Sequence, residues 1–311
     1  MLPKTHLREL LESGHFVVTA EVGPPQGSDA DSVAERVELI GNHCDAINVP
    51  DNPLGVPRMS SLACARLIID AGVEPIMHMA TRSRNEMLLQ SELFGASALG
   101  VRNLLFITGD RAIANGELQS TMVPEMDSID GLRLASTLMT GKNSGGEDIL
   151  VPPTFFLGST FNPYAKSVDE EIHRVKQKHN AGAQFFQTQA VYDVGRFRVF
   201  LEKMEDIDVS VLAGIVPLQG SEMAEYMNAS VPGIQVPQGI VDQLRDAEEG
   251  LTDEDLLKAG RAEGLLIASE TVETVRNLKG VDGVHIMGIG WDESILQTVE
   301  RARLYPRPTR G

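Results

Sequence analysis

The chain has 311 residues, and its 42% of hydrophobic residues excludes a disordered protein. It carries 44 acidic against 27 lysine and arginine residues, and the formal net charge of −17 argues against binding to a nucleic-acid phosphate backbone. No apolar run reaches the ~18 residues of a membrane span, and Cys44 and Cys64 are too few for a disulfide framework or a cysteine metal cluster. We therefore expect a cytoplasmic protein that begins without a signal peptide.

Short apolar runs, rich in β-branched and aromatic residues, recur along the chain and predict eight strands. In chain order they lie at 16–22, 45–50, 74–80, 103–109, 153–158, 183–189, 209–215 and 283–289. Each run is largely apolar rather than alternating, which is typical of parallel strands buried on both faces. Helical patterns separate the runs, and several of these patterns end in glycine, at Gly72, Gly100 and Gly182.

The alternation of strand and helix predicts an α/β fold with a parallel sheet. Eight such units favour a single (β/α)8 TIM barrel over residues 1–311, with an open doubly wound sheet as the alternative. The segment 236–278 predicts extra helices before the last strand, and the segments 110–127 and 141–152 are loop-like. The basic, proline-containing tail 305–311 is expected to be an extended terminus.

Polar side chains at the ends of the first and third strands are candidates for chemistry, because catalytic groups of such barrels lie where strands end. Glu21 ends the first strand, just before Gly23 and Pro24. A carboxyl group inside an apolar strand is expected to have a raised pKa suited to proton donation, the alternative being a rim carboxylate bonded to loops. His78 ends the third strand among apolar residues, where a cofactor contact and a satisfied core histidine are both open.

The fourth and sixth strands end in further polar groups. Thr108-Gly109-Asp110 follows the fourth, where glycine permits close backbone approach and the carboxylate would face the barrel mouth; a helix cap is the alternative. Gln187 and Gln189 end the sixth strand with equal parity, so both are expected to face the cavity. Paired amides there could read the hydrogen-bonding edge of a heterocycle.

Two other strand ends have weaker signals. Asn48 and Asp51 follow the second strand, where turn chemistry explains them equally well, and His285 in the eighth strand favours a structural role. The sequence contains no G-x-G-x-x-G after its first strand, no P-loop, no G-x-S-x-G and no metal-ligand spacing of histidines. These absences predict no metal site and favour an organic cofactor held at the barrel mouth.

Taken together, these residues resemble the methylenetetrahydrofolate reductases, a family of flavoproteins with a (β/α)8 barrel. The similarity spans about residues 8–304, and its most specific pieces lie at 20–25, 104–110, 181–189 and 213–218. The resemblance implies bound FAD and the reduction of 5,10-methylenetetrahydrofolate to 5-methyltetrahydrofolate by hydride transfer from flavin N5. Electrons would come from NAD(P)H or from a partner subunit carrying iron–sulfur clusters.

The resemblance also implies roles for individual residues. Glu21 would be the general acid that opens the five-membered folate ring to a reactive iminium, and Asp110 would lie near flavin and pterin and tune the flavin potential. Gln189, with Gln187 beside it, would bind the pterin. The implied FAD contacts are His78, Thr108, Gly109, Asp110, Glu171, Arg174 and Lys178.

The chain also departs from the pattern of the family. Thr108 stands where many members have arginine, Ser221 or a neighbour replaces a phenylalanine that stacks on nicotinamide or folate, and the eighth strand continues differently after His285. These departures leave the electron donor open between NAD(P)H and the iron–sulfur partner. Two other functions remain as alternatives: a flavin-free pterin-binding barrel, such as a methyltetrahydrofolate–corrinoid methyltransferase, and a non-catalytic scaffold subunit. The sequence leaves homo- and hetero-oligomers equally open.

Overall fold

The computed structural model describes residues 3–109, 126–231 and 233–309, and in these residues eight parallel strands close into a barrel in chain order. The last strand pairs with the first, with Thr19 opposite His285. This closure confirms the predicted (β/α)8 barrel and excludes the open doubly wound sheet. The strands are β1 (Val17–Glu21), β2 (Ala46–Val49), β3 (Pro75–Ala80), β4 (Asn103–Ile107), β5 (Phe156–Phe161), β6 (Phe185–Ala190), β7 (Ser210–Ile215) and β8 (Gly283–Ile286).

The described part of the chain contains eleven α-helices. They are α1 (His6–Glu12), α2 (Ala30–Ile40), α3 (Ser61–Asp70), α4 (Glu86–Ala98), α5 (Ser128–Met139), α6 (Val168–Asn180), α7 (Val194–Lys203), α8 (Ser221–Ser230), α9 (Gln238–Glu248), α10 (Asp253–Val275) and α11 (Glu293–Arg301). Helices α9 and α10 are the extra helices predicted before the last strand. Among the described residues, none of these helices combines the length and apolarity that a membrane crossing requires.

The predicted bounds of two strands were wrong by three residues, and in the fifth strand both ends were wrong, since β5 ends at Phe161 rather than at 158. The fifth strand was expected at 153–158, but β5 begins at Phe156, because Pro153 lacks the N–H that a ladder hydrogen bond requires. The eighth strand was expected to continue to residue 289, but β8 ends at Ile286. The chain turns directly afterwards, where Gly290 has a φ of +66° and the N–H of Trp291 donates to the carbonyl of Gly288.

An apolar plug fills the N-terminal end of the barrel. Leu7 and Leu10 of α1 pack there with one apolar residue from each of seven strands: Val17, Ala46, Ile76, Leu105, Phe156, Phe185 and Leu212. Gly158 makes room for the Phe185 ring, since a Cβ on this glycine would lie 2.3 Å from the ring. Because this end is filled, a site inside the barrel is expected at the C-terminal ends of the strands.

The C-terminal tail is anchored by a buried ion pair. Arg307 donates from Nη2 to Asp45 Oδ2 (2.5 Å) and from Nε to Asp45 Oδ1 (3.1 Å), and Nη2 also donates to the Phe16 carbonyl (2.8 Å). Asp45 in turn accepts the N–H of Val18. The tail that was expected to be merely extended therefore secures the start of β1.

Candidate active site

A cavity of about 430 Å³ opens at the C-terminal ends of the strands. Most of the predicted site residues line it: Glu21, His78, Thr108, Gly109, Arg174, Lys178, Gln187 and Gln189. Asp110 lies outside the described residues. Glu171 faces the loop after β5, where its Oε1 accepts the N–H of Asn162 (3.0 Å).

The carboxyl group of Glu21 differs from its prediction. Burial would raise the pKa of Glu21, but the His285 imidazole, whose Nε2 lies 3.9 Å from Oε2, opposes it, together with the charge of Arg36. The pKa of Glu21 is therefore lowered, and the expectation of a raised pKa was wrong. The closure of the barrel explains the error, because it brings β8 and its histidine beside β1.

A chain of buried side chains crosses the barrel beneath Glu21. His285 Nδ1 lies 3.0 Å from Thr19 Oγ1, which accepts from Gln187 Nε2 at 3.3 Å. Gln187 and Asn48 exchange two hydrogen bonds: Gln187 Nε2 donates to Asn48 Oδ1 (3.1 Å), and Asn48 Nδ2 donates to Gln187 Oε1 (2.5 Å). Asn48 Nδ2 also lies 2.9 Å from His78 Nε2. The amide of Gln187, predicted to contact substrate, is thus engaged inside the barrel.

His78 is neutral at physiological pH. Burial lowers its pKa to about 4, against the opposing charges of Glu21 and Asp51 and with the help of His285. The side chain of Asp51 is fixed in position, because its Oδ2 accepts hydrogen bonds from the backbone N–H of Ala80 (2.9 Å) and from Arg84 Nη1 (2.5 Å). The loop after β2 is therefore fixed against the end of β3, beside the cavity.

Cationic side chains form one wall of the cavity. Lys178 of α6 is 6% exposed, and its Nζ donates to the Thr160 carbonyl (2.5 Å). Burial lowers the pKa of Lys178 to about 8, with Glu171 and Arg174 acting in opposite directions. Arg174 lies one helical turn earlier, 3.7 Å from Asp127. Together with the nearby hydroxyls of Thr108 and Ser128, this wall can bind an anion.

Sequence reasoning missed Arg82, which lines the same cavity. Arg82 is 5% exposed, its backbone N–H donates to the Thr108 carbonyl (3.0 Å), and its side-chain Nη2 donates to the Asn52 carbonyl (2.8 Å). A Cβ on Gly109 would lie 2.7 Å from Arg82 Nη1, so this glycine, with a φ of +95°, leaves room for the guanidinium. The position of Arg82 directly after a strand end was the signal that could have found it.

The resemblance leads one to expect a phenylalanine at Ser221 or a neighbouring position, and Ser221 instead forms polar contacts at the start of α8. Its Oγ donates to Glu248 Oε2 (2.5 Å), and its N–H donates to Glu248 Oε1 (2.9 Å). The start of α8 is thereby tied to the end of α9.

Comparison with known proteins gives the same family as the motifs. The family model of methylenetetrahydrofolate reductase matches residues 6–303. Methylenetetrahydrofolate reductase 1 of Schizosaccharomyces pombe is 26% identical over 246 residues, covering 76% of this chain and 36% of that protein. A probable methylenetetrahydrofolate reductase (NADPH) of Caenorhabditis elegans is 27% identical over 249 residues, with 76% and 36% covered. The chain thus spans little more than a third of the length of these curated relatives.

A solved structure has a similar fold. It is an uncharacterized protein from Clostridium thermocellum, described as binding two copies of 5-methyl-5,6,7,8-tetrahydrofolic acid. The TM-score is 0.66 at 16% sequence identity, and the match covers 96% of this chain and 99% of that one. At this identity the likeness concerns the barrel alone.

Proposed function

The chain belongs to the methylenetetrahydrofolate reductase family, and we propose that it reduces 5,10-methylenetetrahydrofolate to 5-methyltetrahydrofolate with bound FAD. The observation that carries this proposal is the placement of Glu21 at the mouth of the barrel, in one cavity with Gln189 and the cationic wall of Lys178 and Arg174. The carboxyl group of Glu21 suits a proton donor, and the amide of Gln189 suits a contact to the pterin. The cationic wall suits the phosphates of a cofactor. The folate described for the Clostridium thermocellum barrel supports the same class of substrate.

The donor set of the cavity fits FAD. Lys178, Arg174 and the hydroxyls of Thr108 and Ser128 would hold its phosphates, and neutral His78 would contact the flavin without adding charge. When bound, FAD supplies the hydride from its reduced N5 to the bridging carbon of the folate. The protein orients both partners and excludes water from the reacting atoms.

Glu21 performs the proton transfer in this proposal. Its carboxyl group donates a proton to the ring nitrogen that leaves as the five-membered folate ring opens, and the resulting carboxylate stabilises the cationic iminium. Gln189, exposed at the end of β6, contacts the pterin. The electrons that reduce the flavin come from NAD(P)H or from a partner subunit with iron–sulfur clusters. We also propose a location in the cytoplasm.

Replacing Glu21 with glutamine tests the assignment. Glu21→Gln should abolish folate turnover and leave reduction of the bound flavin nearly intact, because glutamine has no acidic proton. Glu74→Gln is the matched control, since Glu74 accepts backbone N–H groups of α1 at the opposite end of the barrel. Unchanged folate turnover in Glu21→Gln would refute the role of Glu21.

The spectrum of the purified protein tests the cofactor. Flavin absorption bands support the proposal, whereas a colourless protein that binds folate would favour the flavin-free methyltransferase. Stopped-flow mixing with NADH then tests the electron donor. Rapid bleaching of the flavin would eliminate the requirement for an iron–sulfur partner.

A further inference from the structure

Asn48 and Gln187 face each other across the barrel and form a reciprocal amide pair. Their side chains are 0% and 2% exposed, and each amide donates to the oxygen of the other. Each NH₂ group has a second hydrogen, and both second hydrogens have a partner as well. One of them faces His78, and the other faces Thr19.

The Asn48 end of the pair fixes the proton of His78. Asn48 Nδ2 lies 2.9 Å from His78 Nε2, and an NH₂ group can only donate. Nε2 therefore accepts and carries no hydrogen. Because His78 is neutral, its single ring proton is on Nδ1.

The Gln187 end fixes the proton of His285 through Thr19. Gln187 Nε2 donates to Thr19 Oγ1, so the hydrogen of this hydroxyl is free to donate elsewhere. Its two acceptors are His285 Nδ1 at 3.0 Å and the Val284 carbonyl at 3.4 Å, and the shorter contact is to the histidine. The shorter contact favours the arrangement in which Nδ1 of neutral His285 accepts and Nε2, 3.9 Å from Glu21 Oε2, carries the proton.

We propose that the Asn48–Gln187 pair is a positioning device that holds the two histidines in opposite tautomers and aims the Nε2–H of His285 at Glu21. Neither amide acts on substrate; both act through the histidines. The two amides and the two histidines come from β2, β3, β6 and β8. The pair therefore links His78, which is proposed to contact the flavin, with His285, which lies beside the proposed acid Glu21.

The Asn48–Gln187 pair also affects the pKa of Glu21. The consequence for catalysis rests on the proposed function of Glu21 as the general acid. The groups that face Glu21 are His285 from β8, His78 from β3 and Arg36 from α2. An Nε2–H directed at the carboxylate stabilises its ionised form. Removal of the Gln187 amide frees Thr19 and His285, so the pKa of Glu21 rises toward the value that burial alone would give it.

Nitrogen NMR of the purified protein with ¹⁵N-labelled histidine tests the tautomers directly. Signals are assigned by their loss in His78→Gln and His285→Gln. At alkaline pH we expect Nδ1–H for His78 and Nε2–H for His285. The same tautomer at both residues would overturn the proposal, and this measurement needs no variant of the pair and no enzymatic activity.

Gln187→Leu then tests the role of the pair. We expect His285 to become a mixture of tautomers. We also expect the alkaline limb of folate turnover, where Glu21 loses the proton that it must donate, to move to higher pH. The control is Asn103→Leu, which removes another fully buried barrel amide, one that donates to the Pro75 carbonyl. A loss of thermal stability in both variants, with unchanged tautomers and pH profile, would show a merely structural role.

A second variant covers the case in which Gln187→Leu does not fold. Thr19→Val keeps the shape of the side chain and should release His285 while leaving His78 as Nδ1–H. If His285 keeps its tautomer in this variant, the proposal is wrong. If the wild-type protein has the expected tautomers but no folate turnover, the proposed function fails, and the positioning of the histidines stands.

Discussion

Replacing Lys178 with methionine should stabilise the free protein and weaken its affinity for FAD. Methionine has a similar length and no charge, so it removes the buried ammonium group and keeps most of its packing. The pKa of Lys178 falls from 10.5 to about 8 in the fold. At about 1.4 kcal/mol per pKa unit, the buried charge costs about 3 kcal/mol at neutral pH. Loss of the hydrogen bond to the Thr160 carbonyl destabilises the variant by about 1 kcal/mol. The free energy of unfolding of Lys178→Met should therefore exceed that of the wild type by about 2 kcal/mol.

The pH dependence of this gain has a defined sign. Between the folded pKa of about 8 and the unfolded value of 10.5, the unfolded chain binds the proton and the folded chain does not. The free energy of unfolding of the wild-type protein therefore rises with pH across this window, relative to that of Lys178→Met. The advantage of the variant is full below about pH 8 and disappears toward pH 10.5.

FAD binding should change in the opposite direction. A charged hydrogen bond to phosphate contributes about 1.5–3 kcal/mol, so the variant should bind FAD about 10- to 150-fold more weakly. Wild-type affinity should fall as pH rises above about 8, where Lys178 loses its proton, and the affinity of the variant should be flat there. Flavin fluorescence titrations give the dissociation constants, and urea unfolding gives the stabilities.

Lys176→Met is the matched control for both measurements. Lys176 lies on the same helix, 44% exposed, and forms a 3.0 Å ion pair with Asp206 at the surface. Its loss should change the free energy of unfolding by no more than about 1 kcal/mol and leave FAD affinity unchanged. If Lys178→Met destabilises the free protein, or binds FAD as the wild type does, the reasoning about this wall is refuted.

Two further predictions concern the anchored tail and the acid. Arg307→Met should lower the free energy of unfolding by about 3–5 kcal/mol, because it leaves the carboxylate of Asp45 buried without its partner. Replacement of the exposed Arg301, at the end of α11, with methionine is the control, and equal losses in urea unfolding would contradict this account. Affinity for 5-methyltetrahydrofolate should increase as pH falls, because the bound ligand raises the pKa of Glu21. Calorimetric titrations of Glu21→Gln should show no such pH dependence. A pH dependence that survives in this variant would exclude Glu21 as its source.

The elements of the fold could be predicted from the sequence because each buried parallel strand is an apolar run. The misplaced start of β5 shows the limit of this signal, because the run includes prolines that cannot join a ladder. The short helix α1 was not predicted, although Leu7, Leu10 and Leu11 have helical spacing. Only the closed barrel, with Leu7 and Leu10 filling its end, shows what this helix does.

Glu21, His78 and Gln189 could be placed at the cavity because side chains at the ends of barrel strands lie there in any such fold. Position alone does not determine their protonation or their hydrogen-bond partners. The lowered pKa of Glu21 depends on His285, which becomes its neighbour only when the barrel closes. The engagement of Gln187 likewise depends on an asparagine from a strand on the other side of the barrel.

The lowered pKa of Glu21 places a condition on the proposed mechanism. In the free protein the carboxyl group is ionised at neutral pH and has no proton to donate. Its side chain is 27% exposed, toward the cavity that the pterin would fill, so bound folate would remove the remaining water from it. Further desolvation raises the pKa of a carboxyl group, whereas His285 and Arg36 stay in place. Glu21 would therefore take up a proton as the folate binds. Binding of the folate would thus create the protonated carboxyl group that opens its ring.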